Sequence, residues 1–294
     1  YYYTMKFPIL IISFKSLSIL TECLMNLGNT RKILIVENSN SLNIKNDIQK
    51  DFPYVKFILN NQNFGFSKAA NIGLNSINSD DVLMINTDIV IKDEQITNLE
   101  KEIFNSKIEY ALATPYTDDL VNFIAESKFD KFLKNFNLLE SNEKFQKVDF
   151  IKGSILIINL RKFENKDLFD ENFFFFFEEI DLCRKVKTLK QNIYVLMFEK
   201  AIHFGSGSTS IKHQKYVNFR NWNYIWSSFY YNKKHYGFLF SFFKHSSKIF
   251  RYLISSFFFF FLSKNKFLAN KFRFLGLLSS ILGIKSIKSS KFLD

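Results

Sequence analysis

Four stretches of the chain hold side chains able to do chemistry on charged or hydroxylic substrates. Asn86-Thr87-Asp88 follows the apolar run 81–85. A carboxylate at a strand end sits at the mouth of a sheet, where it can hold a hard divalent cation against a substrate's phosphates or cap a turn. In Asn63-Phe64-Gly65-Phe66-Ser67-Lys68-Ala69-Ala70-Asn71-Ile72-Gly73, Gly65 permits close approach, Phe66 can wall a pocket and Asn71 falls in an early helical turn. The same residues also describe an ordinary helix start packed by Phe66. Glu178-Glu179-Ile180-Asp181 comes directly after five phenylalanines at 173–177. A carboxyl beside such a wall has a raised proton affinity, which suits a general base, whereas acids at a helix start serve the helix dipole equally well. In the second case Asp181 with Arg184 or Lys185 is a surface pair. His203, in Ala201-Ile202-His203-Phe204-Gly205-Ser206-Gly207-Ser208, is either a core histidine or, beside an acidic metal site, a ligand.

The elements that position these stretches alternate. Runs at 7–14, 33–36, 55–59 and 82–85 read as strands, and patterns at 16–27, 41–51, 67–77 and 93–105 read as helices. Such alternation predicts βαβ units in a mainly parallel sheet with helices on both faces, and ligands then bind beyond the carboxyl ends of the strands. The strand-end residues are polar: Ser13, Glu37-Asn38, Asn60 to Asn63 and Asn86 to Asp88. The stretch 115–147 has no clean period and reads as a variable surface excursion. A strand is expected over 148–158, carrying Gly153, then a helix over 179–189 and a strand over 193–198. From 213 onward the pattern is helical, with basic and aromatic residues interleaved.

At 294 residues, 47% hydrophobic and 23% charged, the chain is a folded globular protein rather than a fibrous or disordered one. Phe occurs 38 times and Gly only 9, with Lys, Asn and Ile abundant, a bias that a low-GC genome also produces. The net charge of +12 is one-sided: residues 1–200 hold 25 Lys and Arg against 27 Asp and Glu, whereas 201–294 hold 15 against Asp294 alone. No nucleic-acid signature accompanies that charge, so no nucleic-acid partner is expected. The 2 cysteines, Cys23 and Cys183, lack disulfide-framework or metal spacing and fit a reducing, cytoplasmic setting. The apolar run after Met5-Lys6 mimics a signal peptide, but Lys15 interrupts it and it reads as a strand. No apolar stretch reaches the ~20 residues that span a bilayer.

The order of these motifs resembles the family 2 glycosyltransferases of the GT-A fold, in particular the rhamnosyltransferase-like branch that builds bacterial surface polysaccharides. The resemblance runs over 7–237 through Ile11-Ile12-Ser13-Phe14, Ile35-Val36-Glu37-Asn38-Ser39, Asn63 to Gly73, Asn86-Thr87-Asp88 and Gly153. It continues through Leu168-Phe169-Asp170-Glu171-Asn172-Phe173-Phe174, Glu178 to Cys183, His203 to Ser208 and Arg220-Asn221. It implies an α/β, Rossmann-like mixed sheet with helices on both faces as catalytic domain over 5–212, followed by a helical, basic extension over 213–294. From Tyr236 to Ile287 that extension alternates Phe, Leu and Ile with Lys and Arg, a composition that suits helices on an anionic membrane surface and equally helices packed on the catalytic domain.

By that resemblance Ser13, Glu37 and Asn63 line the nucleotide pocket, with Lys68, Asn71 and Asn86 beside it. Asp88 is the metal-binding acid of the family's Asp-x-Asp element, for Mg²⁺ or Mn²⁺, and His203 a second ligand to the metal or to the diphosphate. Gly153 lies by the acceptor sugar. Glu179 takes the place of the catalytic aspartate, with Glu178 as the alternative base. Asn86, Glu37 and Glu179 each stand where the family usually has Asp. The implied activity is inverting transfer of a sugar from a nucleoside-diphosphate donor to a saccharide or lipid-linked saccharide, by an enzyme peripheral to the inner membrane face. A non-catalytic nucleotide-sugar or polysaccharide-binding protein of the same fold is the alternative.

Overall fold

The computed structural model describes residues 6–119, 143–205 and 213–292. Met5, the expected first residue of the catalytic domain, residues 120–142 of the expected excursion and Ser206 to Ser208 lie outside them. The chain forms two compact units. The first comprises residues 1–63, 69–168 and 179–209, the second 64–68, 169–178 and 210–294. Two short internal segments thus group with the C-terminal region.

The first unit is built on an eight-stranded sheet. Its strands are β1 (Ile9–Ser13), β2 (Ile33–Glu37), β3 (Lys56–Leu59), β4 (Asp81–Asn86), β6 (Leu112–Tyr116), β7 (Phe145–Val148), β8 (Ile155–Asn159) and β9 (Ile193–Lys200). They lie in the order β3-β2-β1-β4-β8-β6-β9-β7. The β3-β2-β1-β4 half is parallel; β8 runs antiparallel between β4 and β6. Strands buried on both faces read as unbroken Ile, Leu and Val runs, as β1 does. Ile9 and Ile11 point into a core shared with Leu20 and Leu24 of α1 (Leu17–Leu27) and Ile96 and Leu99 of α4 (Asp93–Ser106). The opposite face meets α3 (Phe66–Ser76) at Gly73, where a Cβ would stand 2.4 Å from Leu10. Only glycine lets this helix lie so close to the sheet. Among the described residues the remaining α-helices of this unit are α2 (Leu42–Asp51) and α5 (Glu178–Thr188), whose first residue falls in the second unit.

One expectation is corrected. The apolar run 148–158 is two strands, β7 ending at Val148 and β8 starting at Ile155, with a turn at Gly153. Phe150 and Ile151 are buried although they belong to neither strand, so hydrophobicity alone conceals the break.

The second unit is helical: α6 (His213–Tyr236), α7 (Phe238–Leu262) and α8 (Lys264–Ile281), followed by a short 3₁₀ segment at Ser286–Phe292. Ile225, Phe229 and Leu277 form its centre. The phenylalanine run packs here, with the Phe174 ring 5.9 Å from Phe219 and the Phe177 ring 5.6 Å from Tyr231. Gly65, at φ +82°, comes so near Phe174 that a Cβ would lie 2.6 Å from its carbonyl oxygen. Asp170 accepts hydrogen bonds from Tyr230 Oη at 3.0 Å and Lys234 Nζ at 2.8 Å, tying the Leu168-to-Phe174 motif to α6. Phe176 and Phe177 both adopt φ +71° immediately before α5.

Candidate active site

The carboxyl ends of β1, β2 and β3 carry a continuous polar network. Ser13 Oγ donates to Glu37 Oε2 at 2.6 Å, and Ser39 N donates to Glu37 Oε1 at 2.9 Å. Asn60 Nδ2 donates to Asn38 Oδ1 and Asn38 Nδ2 to Asn63 Oδ1, both at 2.9 Å. Ser13, Glu37 and Asn71 are buried. Asn86 ends β4 one strand away, in register with Ile12, and its N–H is taken by the Ser154 carbonyl. Five of the expected nucleotide residues, Ser13, Glu37, Asn63, Asn71 and Asn86, therefore belong to the first unit. Lys68 belongs to the second, where its Nζ lies 3.3 Å from Glu171 and 5.0 Å over the Phe64 ring.

Beyond Asn86 the chain turns at Thr87-Asp88 into β5 (Ile89–Val90), which pairs antiparallel with β10 (Ile202–His203). This two-residue ladder sets His203 opposite Ile89 and brings its Nε2 to 3.4 Å from Asp88 Oδ2. His203 Nδ1 donates to Asp119 Oδ2 at 2.6 Å, and Lys152 Nζ reaches the same oxygen. Burial opposes charge on the imidazole, yet the two carboxylates outweigh it and push His203 up to about 9. Although burial works the other way, the bonds from His203 and Lys152 hold Asp119 well below the usual carboxylate range. Neither Asp119 nor Lys152 was legible as a site residue: one lies in the stretch read as a surface excursion, the other beside Gly153 in an apolar run.

Asp88 is 5% exposed, and its Oδ1 has no hydrogen-bond partner among the described residues. The strand end thus presents one uncommitted carboxylate oxygen beside an imidazole nitrogen. That donor set fits Mg²⁺ or Mn²⁺, which take few protein ligands and fill their shells with water and phosphate oxygens. Among the described residues no cage of three or more His, Cys, Asp or Glu side chains is formed.

Glu179 sits in the first turn of α5, packed on Gly153: a Cβ on that glycine would stand 3.0 Å from Glu179 Cβ. Its Oε2 is shut off from solvent and has no hydrogen-bond partner among the described residues. Burial pushes its carboxyl up to about 7, against the opposing pull of backbone N–H groups at the helix start and of Lys152. Glu178, buried as well, lies in the second unit. Asp181, 5% exposed, is buried rather than a surface residue.

A polar strand-end network, an acid–imidazole pair and a buried carboxyl of raised pKa thus belong to the same unit. Residues 9–165, more than half of the chain, match the family described as glycosyl transferase family 2. The chain is a family 2 glycosyltransferase. This glycosyltransferase is 24% identical over 227 residues to the low-salt glycan biosynthesis hexosyltransferase Agl10 of Haloferax volcanii, covering 72% of this chain and 73% of the relative. It is 23% identical over 193 residues to the rhamnosyltransferase WbbL of Escherichia coli K12, covering 59% and 72%. Among solved structures, S. aureus TarS 1–349, also solved with UDP-GlcNAc, superposes with a TM-score of 0.50 at 12% identity over 95% of this chain and 91% of that one. GalNAc-T7 with UDP, GalNAc and Mn²⁺ superposes with a TM-score of 0.50 at 11% identity over 79% of this chain. The glycosyltransferase spans about half of that longer protein, 51%. These likenesses show the GT-A fold.

Proposed function

We propose that the enzyme transfers a hexose, rhamnose being one candidate, from a nucleoside-diphosphate sugar to a hydroxyl of a saccharide or lipid-linked saccharide in surface polysaccharide synthesis, with inversion. Glu179 carries the reading. A general base works best when its pKa lies near the working pH, and burial places this carboxyl there.

In this reading Ser13, Glu37, Asn63, Asn71 and Asn86 hold the nucleotide across the strand ends. The acceptor sugar rests over Gly153, where the missing side chain leaves Glu179 within its reach. Glu179 removes the proton from the acceptor hydroxyl as that oxygen attacks the anomeric carbon from the face opposite the diphosphate. The anomeric carbon–oxygen bond breaks, and the nucleoside diphosphate leaves with the electron pair. Asp88, through its uncommitted oxygen, and His203, once its Nε2 has given up its proton, would hold a divalent cation. When bound, such a cation neutralises the charge that grows on the departing diphosphate. The names of the hexosyltransferase and rhamnosyltransferase relatives support hexosyl transfer, and the neighbour structures with UDP or UDP-GlcNAc support a nucleotide-sugar donor. A lipid-linked acceptor places the enzyme at the inner face of the cytoplasmic membrane.

The test is a panel of UDP-, GDP- and dTDP-sugars with Mn²⁺, Mg²⁺ or chelator, scored for thermal stabilisation and nucleoside-diphosphate release. At least one donor is expected to stabilise the protein and be consumed in a metal-dependent way. Binding of a donor with no release under any condition overturns the reading in favour of a binding protein of the same fold.

A further inference from the structure

We propose that the outward face of α7 is a docking surface for an anionic phospholipid bilayer, with the helix lying in the plane of the interface. This rests on the reading of the enzyme as peripheral to the membrane and narrows it to one helix face.

The helix is apolar on the wrong side for a core element. Leu239, Phe243, Phe250, Ile254, Phe257 and Phe261 are 69%, 71%, 66%, 66%, 75% and 74% exposed. At 100° per residue these six positions fall within an arc of about 60°. The opposite side, turned into the helical unit, carries polar groups that are fully buried. Ser241 Oγ donates to the Phe229 carbonyl at 2.8 Å, and His245 Nε2 lies 3.1 Å from Ser228 Oγ. Phe242, Ile249 and Tyr252 pack on the unit's centre beside these polar groups, so the helix already has an apolar inner side and the six residues of the outer stripe are additional to it. Exposed apolar stripes of this size mark interaction surfaces.

Two observations select the occupant. No described helix is long and apolar enough to cross a membrane, and Lys244, Lys248 and Arg251 interrupt α7, so an in-plane position suits it. The charge around the stripe is of one sign: α7 and α8 together hold seven Lys and Arg and no Asp or Glu. A second copy would bring like charge against like, whereas anionic headgroups complement it. Arg251, Lys264 and Lys266 are exposed, and Lys266 Nζ lies 5.0 Å over the Phe259 ring. Long cations beside aromatic rings can reach headgroups while the rings enter the acyl boundary.

The experiment uses the full chain, sedimented with vesicles of phosphatidylcholine alone or mixed with phosphatidylglycerol. Wild type is expected to partition at least tenfold more strongly onto the mixed vesicles, roughly, and to come off as salt rises. The triple variant Phe243→Ser, Phe257→Ser, Phe261→Ser should lose about tenfold or more of that partition. Lys264→Glu with Lys266→Glu keeps the stripe and should lose about as much on mixed vesicles alone, which covers a triple variant that fails to fold. Unchanged partition in either folded variant overturns the proposal. So does a wild type that ignores vesicles, or one that is a dimer which the triple variant makes monomeric without altering its vesicle binding. Nucleoside-diphosphate release in solution needs no bilayer. Release without vesicle binding overturns docking alone, and vesicle binding without release overturns the transferase reading alone.

Discussion

Gly153 supports Glu179 directly: the backbone of the glycine passes so close that an added methyl would stand 3.0 Å from the glutamate's Cβ. The carboxyl's placement thus depends on an absent side chain across the turn between β7 and β8. Gly153→Ala needs no unusual backbone angle and is predicted to leave the fold intact while displacing Glu179 by a few tenths of an ångström. A fall of about 10-fold or more in kcat, with Tm nearly unchanged, is the expected result. Steady-state kinetics beside a thermal melt measures it.

The two adjacent glutamates are expected to separate on substitution. Glu179→Gln should lower transfer by about 10²–10⁴-fold with donor affinity retained, since the amide keeps the shape and cannot take a proton. Glu178→Gln should cost far less. The reverse order, read from single-turnover rates with nucleotide binding as control, moves the base by one residue.

Activity should titrate with Glu179. As the proposed base it works as the carboxylate, so kcat is expected to rise with pH through about 7 and then level off. Lys152 favours the ionised form, and Lys152→Met should shift the limb to higher pH. The same group sets a stability slope. Because the folded pKa lies above the ordinary value of 4.5, its contribution is complete below that value and is lost as pH rises to about 7. Glu179→Gln should flatten the Tm profile in that window.

Metal dependence offers a readout free of turnover. Thermal stabilisation by a nucleoside diphosphate is expected to need Mn²⁺ or Mg²⁺ and to vanish in Asp88→Asn, the residue with the uncommitted oxygen. Calorimetric titration with UDP or GDP, with and without the ion, checks this. Equal binding in the variant would take the cation away from this strand end.

His245 makes the helical unit acid-sensitive. Burial, with Lys248 and Lys244 nearby, depresses its pKa to about 4, and the neutral ring satisfies Ser241 and Ser228 at once. A depressed histidine contributes stability that is whole above 6.5 and is lost as pH falls through about 4. On the order of 3 kcal/mol is at stake. Melts from pH 7 to pH 4 should show the loss, and His245→Phe should reduce it.

The sequence made most of the sheet legible because β1, β2 and β4 are buried on both faces and so appear as plain apolar runs. The polar residues ending those strands followed from the same logic. The break between β7 and β8 was not legible, since Phe150 and Ile151 are as apolar as strand residues yet serve as buried turn packing. Asp119 escaped because its role depends on His203, and their contact arises from the fold rather than from any spacing. The pairing of His203 with Asp88 rests on a two-residue ladder, too short to leave a period. In α7 the interleaving of Phe and Lys was visible, but which face is covered depends on α6 and α8.

Phe176 and Phe177 place two bulky L-residues in the left-handed region in succession. Each such residue costs about 1–2 kcal/mol relative to ordinary backbone. Here the offset comes from ring packing on Tyr224 and Tyr231, each 5.6 Å from Phe177. The segment therefore behaves like a bent spring latched by aromatic rings, and it ends at the first turn of the helix that carries Glu179. Trimming the latch, as in Tyr231→Ala, would let the spring relax just ahead of the proposed base.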